Sequence, residues 1–454
     1  MNRLLALSVL ACSVLTGCGS SGGSSPASVK KYTFEFVKLD EGEVSTCTIF
    51  DGLEQNIDTK YVAYKTGPQN IDIHDENGIY SKSLTNKNGV ITFSENDVPD
   101  GGYVSVIEYV PGSKNYQVLS IQKALLGDYL IRLNTGSGSD CYTTNKGISK
   151  KSGTASITDE GLASNYFQYI TTQETTSLLV GTRNYKTSAY TDEKVLAKGY
   201  NGDGNDLIAY GFSTLNGTAT ELSEVPDSLD WYTDFDLNGL ESLAVSLKKG
   251  NYTYAWFDAE FDPTLDTRKS FPFSYDESEW LYTATGSIND WKFHHNARFT
   301  DTLDVSLMAN MDDSGNPEIS YNGTSYIFDA PGISSSNDLI QRSYYYTETT
   351  GPNAALTHII YSVPSSDGKV IIPDLKLDSP LSPEDFSDIA VSIVATESMD
   401  EDFVESFMRR FQPVDPNSGS FSSNEDSISL LLSPADQLKQ RQNTEMNDYT
   451  LVER

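Results

Sequence analysis

Thr85-Asn86-Lys87-Asn88-Gly89-Val90-Ile91-Thr92-Phe93 (residues 85–93) is the stretch on which the fold turns. Asn-Gly suits the left-handed positions of a tight hairpin turn. The residues after it alternate with the period of two that marks a half-buried strand. The same pairing of turn and alternation recurs outward on both sides. Tyr32–Val37, Tyr61–Lys65, Ile71–His74, Tyr103–Val110 and Tyr116–Ile121 alternate in the same way. Asp51-Gly52, Asn77-Gly78 and Asp100-Gly101 supply further turns. Short strands at close spacing, without helical periodicity, predict an antiparallel sandwich.

The pattern continues downstream. Ser177–Gly181, Val195–Tyr200, Leu207–Phe212, Leu243–Leu247, Tyr252–Phe257, Trp280–Ala284, Leu303–Leu307 and Tyr326–Phe328 read as strands, and Tyr344-Tyr345-Tyr346 as a strand signal. His358–Val363 and Lys369–Ile372 read as a hairpin across Ser365–Gly368, followed by strands at Ile389–Ala395 and Ile428–Leu432. One helix is expected over Met399–Phe411, where Phe403, Phe407 and Phe411 share a face and Ser398 and Glu401 have the spacing of a capping box. The fold class is therefore all-β, tandem antiparallel β-sandwich domains with one short helix near 399–411. The expected divisions are a sandwich over 31–150, a larger all-β domain over 151–330 (sandwich or barrel), a β-rich domain over 331–433 and a polar, frayed tail over 434–454.

Two stretches resemble known families. Asp75-Glu76-Asn77-Gly78, the 85–93 hairpin and Val98-Pro99-Asp100-Gly101-Gly102-Tyr103 together resemble the carboxypeptidase-regulatory or transthyretin-like sandwich, with Asn86 where that family usually has Asp. The resemblance implies architecture and a spacer role, with little chemistry. At the N-terminus, Arg3 and an apolar Leu4–Leu15 run lead into Leu15-Thr16-Gly17-Cys18, which looks like the lipobox of bacterial lipoproteins. The apolar run is short for a span, and a small-residue exit into a Gly/Ser tract is the form of a processed leader. The resemblance implies a signal peptide over 1–17, acylation at Cys18 and a flexible tether over 18–30. In that family an Asp after the acylated Cys retains the protein in the inner membrane, so Gly19 implies the outer one, on its periplasmic or its surface-exposed face.

Composition narrows the partners. Of 454 residues, 32 are basic and 64 acidic, a formal net charge of −32. Such a surface repels phosphate backbones, so nucleic acid is excluded as a partner. Cys12 lies in the leader and Cys18 is assigned to lipid. Cys47 and Cys141 remain, and beyond the inner membrane a lone pair of cysteines reads as a disulfide.

Candidate chemistry is sparse. Asp234-Phe235-Asp236-Leu237-Asn238-Gly239 has the opening of a calcium loop, but Val245 stands where the bidentate carboxylate belongs. It reads first as an acidic strand end with an Asn-Gly turn, and calcium binding stays open; Asn201–Asp206 is weaker. Adjacent His294 and His295 point to opposite faces of a strand. His74-Asp75-Glu76 falls on an expected turn, where charges are usually solvated. The one G-x-S-x-G match, Gly19 to Gly23, lacks the strand and helix of a nucleophile elbow. No catalytic residue, metal ligand or cofactor is assigned. The four tryptophans, Trp231, Trp256, Trp280 and Trp291, cluster with Tyr232, Tyr252, Tyr254, Tyr275 and Tyr282. They read first as filling a core, with at least three of the four tryptophans buried between sheets, and alternatively as a sugar-stacking face. The expected function is a non-enzymatic, lipid-anchored outer-membrane lipoprotein with a structural, adhesion or surface role, held to the membrane by its lipid and meeting a protein or glycan partner. A carbohydrate-binding lipoprotein using residues 231–291 is the alternative, and an unrecognised hydrolase the second.

Overall fold

The computed structural model describes residues 29–51, 59–136 apart from 113, 138, 140–143, 150–224 apart from 203, 205 and 206, 229–230, 239–260, 270–271, 279–299, 316–330, 338–348, 355–364, 368–377, 386–396, 399–409, 414–415, 420–421, 431, 436, 438 and 446–452. The fold is all-β with several sheets and one short α-helix.

The first part of the chain forms β1 (Lys31–Glu41), β2 (Ile49–Asp51), β3 (Lys60–Lys65), β4 (Asn70–His74), β5 (Tyr80–Leu84), β6 (Val90–Ser94), β7 (Tyr103–Val110), β8 (Asn115–Gln122) and β9 (Tyr129–Arg132). The middle forms β10 (Lys150–Thr158), β11 (Tyr166–Ile170), β12 (Leu179–Val180), β13 (Asn184–Tyr190), β14 (Val195–Tyr200), β15 (Leu207–Ser213), β16 (Thr220–Glu221), β17 (Ser223–Glu224), β18 (Leu229–Asp230), β19 (Leu240–Lys249), β20 (Tyr252–Glu260), β21 (Ser270–Phe271), β22 (Glu279–Ile288), β23 (Trp291–Phe299), β24 (Glu318–Tyr321) and β25 (Tyr326–Asp329). The last part forms β26 (Asp338–Glu348), β27 (Ala355–Ser362), β28 (Lys369–Ile371), β29 (Phe386–Thr396), α1 (Glu401–Arg409), β30 (Val414–Asp415), β31 (Ser420–Phe421) and β32 (Met446–Val452).

The 85–93 stretch folds as its sequence dictates. Asn88 (φ 51°) and Gly89 (φ 79°) occupy the left-handed turn positions, and Lys87 and Val90 exchange both backbone hydrogen bonds across them. β6 then pairs antiparallel with β1, from Lys31↔Ser94 to Glu35↔Val90. β1, β2, β3, β6 and β9 make a five-stranded sheet. Its inner face carries Tyr32, Phe34, Phe36, Ile91, Phe93, Tyr129 and Ile131, packed against Ile71, Ile73, Val104, Val106, Leu119 and Ile121 of β4, β7 and β8. Burying each such side chain contributes about 1.5–3 kcal/mol.

β4, β5, β7 and β8 do not form a sheet of their own. They are one end of a 12-stranded sheet ordered β20-β19-β22-β23-β32-β29-β26-β27-β8-β7-β4-β5. The join is parallel: β8 pairs with β27 from Asn115↔Ala355 to Ile121↔Tyr361. Hydrogen bonding therefore crosses all three expected divisions, at 150, 330 and 433. Sequence patterning marks each strand's two faces but leaves its lateral neighbour open, which is why divisions at polar stretches miss this sheet.

Further corrections follow from the same sheet. Within the expected frayed tail, β32 lies between β23 and β29 and pairs with both. A central slot satisfies the backbone groups of all three strands, and that outweighs a polar composition. β28 pairs with β25 rather than forming a hairpin with β27. Leu431, expected in a strand, is in a 3-10 turn. The polar boundary expected near Lys151 is occupied by β10. β10, β13 and β16 face the β12-β11-β14-β15-β17 sheet across a small core of Ala155, Ile157, Phe167, Tyr169, Val195 and Leu222. That resolves the choice over the first part of the middle region as a small sandwich; its later strands join the large sheet.

The helix is where the phenylalanine spacing predicts, but its cap differs. Asp400 Oδ1 accepts from the Phe403 amide at 2.8 Å, and the Val404 amide donates to the Asp400 carbonyl at 3.0 Å. Asp400 is thus the N-cap; Ser398 lies outside the described residues, as do residues 410 and 411 at the expected helix end. Phe403, Val404, Phe407 and Met408 pack on the same core as β1 and β26.

Candidate functional site

The sequence candidates separate into three groups. The lipobox with Cys18, the tether as far as Ser28, Gly19–Gly23, Trp231, Tyr232, Asp234–Asn238, Tyr275 and Leu303–Leu307 lie outside the described residues, as do Asp203, Asn205 and Asp206.

A second group is brought into the interior. Trp256, Trp280 and Trp291 are 6%, 4% and 2% exposed. Trp256 meets Trp280 edge-on at 5.1 Å between centroids and Tyr210 at 5.6 Å, so these rings fill a core between the small sandwich and the β19–β20 end of the large sheet. His295 is buried and His294 half-exposed, in line with alternation along β23. His74, expected on a solvated turn, ends β4 and is completely buried, facing Tyr103 across the ladder. The hairpin turn begins one residue later, at Asp75, whose Oδ1 accepts from the Asn77 and Ile79 amides. Burial lowers the His74 pKa to about 4, against a smaller opposing pull from the Gly78 backbone.

The third group is the disulfide. Cys47 and Cys141 are bonded, with Cα atoms 5.4 Å apart. Cys141 bridges Tyr64, while Lys65 donates to the Asp140 carbonyl and Tyr142 to the Ala63 carbonyl. The bond staples the segment leading to β10 against the edge of the first sandwich.

One constellation escaped sequence reading. Ser105 on β7, Ser120 on β8, His358 on β27 and Tyr345 on β26 form a chain of hydrogen bonds across four adjacent strands. Ser105 and Ser120 hydroxyls are 2.7 Å apart, Ser120 Oγ is 2.7 Å from His358 Nε2, and His358 Nδ1 is 2.8 Å from the Tyr345 hydroxyl. All four residues are fully buried. Burial, with a smaller repulsion from His74, lowers the His358 pKa to about 3, and burial raises that of Tyr345. At neutral pH the imidazole is uncharged, donating on one side and accepting on the other. A nucleophile–base pair needs an orienting carboxylate or its equivalent and an approach for substrate. Here the second imidazole nitrogen meets a phenol, and no side chain of the chain is exposed. The chain works as polar stitching across the parallel β8–β27 join. Its members are polar residues scattered among others on four strands, so nothing in the local sequence singles them out.

Lys198 is the other buried ionisable group of note. It projects from β14 onto the face of Trp256, 4.6 Å from the ring centroid, and donates to the Trp256 carbonyl, with the Ala255 carbonyl at 3.5 Å. The β19–β20 register skips Trp256, pairing Val245 with Phe257 and Ser246 with Ala255. Such a bulge interrupts ladder bonding, and Lys198 supplies donors to its carbonyls. Burial pulls the Lys198 pKa down to about 7.

Among the described residues no group of three or more His, Cys, Asp or Glu could hold a metal ion, and no helix is long and apolar enough to cross a membrane. Fold and interior define a large all-β protein in which the Ser105–Ser120–His358–Tyr345 chain and Lys198 are sealed inside. No protein-family model matches the chain, and no curated protein matches it.

Proposed function

We propose that this protein is a non-enzymatic outer-membrane lipoprotein, anchored by lipid at Cys18, that serves as a structural or adhesion component. The observation that carries the structural part of the reading is the 12-stranded sheet, which hydrogen-bonds strands from the beginning, middle and end of the chain into one body. The anchor is supported by Leu15-Thr16-Gly17-Cys18 and the Gly/Ser tract after it, and two acyl chains hold a protein stably on a bilayer. In this reading the resemblance of residues 75–103 to a transthyretin-like sandwich suits a spacer. Glycan capture draws no support from Trp256, Trp280 and Trp291, whose rings are buried.

Detergent phase partition tests the reading. The wild type should enter the detergent phase and take up labelled fatty acid, while Cys18→Ala should do neither. A Cys18→Ala protein that still partitions with detergent rejects the lipid anchor. Loss of outer-membrane fractionation in the wild type rejects the location.

A further inference from the structure

The exit point of the chain sets which end of the body faces the bilayer. The described chain begins at Val29, and the next residue is fixed from two sides. Lys30 Nζ pairs with Glu401 Oε1 of α1 at 2.9 Å, and its carbonyl accepts from the Glu95 amide at 2.9 Å. α1 and the 3-10 turn at Glu95–Asp97 therefore share the end of the first sandwich from which the N-terminal segment departs. The turn before β7 belongs to it as well, through Lys82–Asp97 at 2.6 Å and Lys123–Asp100 at 2.7 Å. So does Asp128, whose carboxylate accepts from the Thr33 amide at 2.7 Å.

This end is acidic. Its carboxylates include Asp75, Glu76, Glu95, Asp97, Asp100, Asp128, Asp400, Glu401 and Asp402, and its ammonium groups include Lys30, Lys31, Lys82 and Lys123. Three of the four lysines are already matched to carboxylates within the same end. An anionic headgroup layer repels such a surface over about one Debye length, about 8 Å at physiological salt. Between Cys18 and Val29 lie the ten residues Gly19–Ser28, which span at most about 35 Å when fully extended.

We infer that the end formed by α1, the Glu95–Asp97 turn and the start of β1 faces the membrane. Repulsion between its carboxylates and anionic headgroups holds that end off the bilayer surface, within the reach of the tether. The inference rests on the reading that Cys18 carries lipid. The opposite end of the first sandwich, with the β7–β8 turn and the Cys47–Cys141 disulfide, then faces away. β7 runs between the two ends for 8 residues, about 25 Å at the usual strand rise.

The test uses the lipidated full-length protein in vesicles containing phosphatidylglycerol and a headgroup-labelled acceptor lipid. A single donor fluorophore is placed at Asn96→Cys, on the inferred membrane-facing end, or at Gly112→Cys, where an added Cβ meets nothing within 4 Å. Energy transfer to the bilayer should be several-fold stronger from position 96 than from position 112. Lowering the salt should weaken transfer from position 96 as repulsion grows. A protein that fails to float with the vesicles removes the anchor and this orientation with it. A protein that floats but gives equal or reversed transfer, or whose position 112 label approaches the bilayer as closely as position 96, overturns the orientation alone.

Discussion

At the scale of single residues, the buried titratable groups set how stability responds to pH. His74 and His358 have folded pKa values of about 4 and about 3, below the ordinary 6.5. The unfolded chain therefore takes up protons first as pH falls below about 6.5, and stability drops from there towards the folded values. Each histidine contributes a slope of up to about 1.4 kcal/mol per pH unit in that window. Asp72 and Glu193, whose pKa values burial raises, tilt stability the other way at acid pH. The decisive measurement is thus a difference, the denaturation midpoint of wild type against His358→Gln at each pH from 8 to 4. The variant should lose stability at pH 8, where a bond to Ser120 or Tyr345 is impaired, and show a shallower decline below pH 6.5. Parallel curves would mean that His358 is not held neutral in the sheet. Lys198 acts in the alkaline range. Its pKa of about 7 lies below the ordinary 10.5, so the unfolded state binds the extra proton between those values and stability rises with pH across them. Lys198→Met should remove that rise, and an unchanged rise would place the lysine outside the core.

Tryptophan is the residue type on which sequence reading left two outcomes. The density of aromatic rings in 231–291 was legible, but whether the rings face water depends on what the other sheet presents. Tyr210 and Phe212 of β15, distant in sequence, close over Trp256 and Tyr254. Trp280→Ala should cost about 3–5 kcal/mol, the usual range for deleting a buried large ring. Emission from the folded protein should be mainly blue-shifted and resist iodide, since Trp256, Trp280 and Trp291 are shielded. A cost below about 1 kcal/mol would show that the site is not packed as described.

At the scale of elements, legibility followed the locality of the cause. The Asn88-Gly89 turn depends on two adjacent residues, and its strands form where the alternation begins. The α1 helix depends on residues within two turns, and it too was legible. Its cap was displaced by two positions because Ser398 and Asp400 both offer an N-cap oxygen. Asp400→Ala should therefore cost about 1 kcal/mol and loosen α1, with the loss read from the denaturation midpoint. A silent Asp400→Ala would return the cap to another residue. The Ser105–Ser120–His358–Tyr345 chain was not legible, because its members are up to 253 positions apart and meet only through the β8–β27 join. The disulfide was legible through elimination among four cysteines. Its loss by Cys47→Ser should cost about 2–5 kcal/mol, chiefly in the segment held against β3.

At the scale of the whole molecule, the large sheet makes the end of the chain a structural member. β32 separates β23 from β29, so it carries the lateral continuity between β19, β20, β22 and β23 on one side and β29, β26 and β27 on the other. Its register is extensive: Asn296↔Met446 to Lys292↔Thr450 on one side, and Ala395↔Asn447 to Ala390↔Val452 on the other. Removing it exposes the ladder groups of two strands that are otherwise central, and unpaired edges of that kind template association. A chain truncated after residue 445 should thus unfold at lower denaturant and associate at concentrations where the full chain is monodisperse. A chain truncated after residue 452, which keeps β32, should behave as the full chain does. Both ends of the comparison are read by light scattering and by a denaturation midpoint. Equal stability of the two truncations would mean that β32 is dispensable and that the sheet divides at β23 and β29.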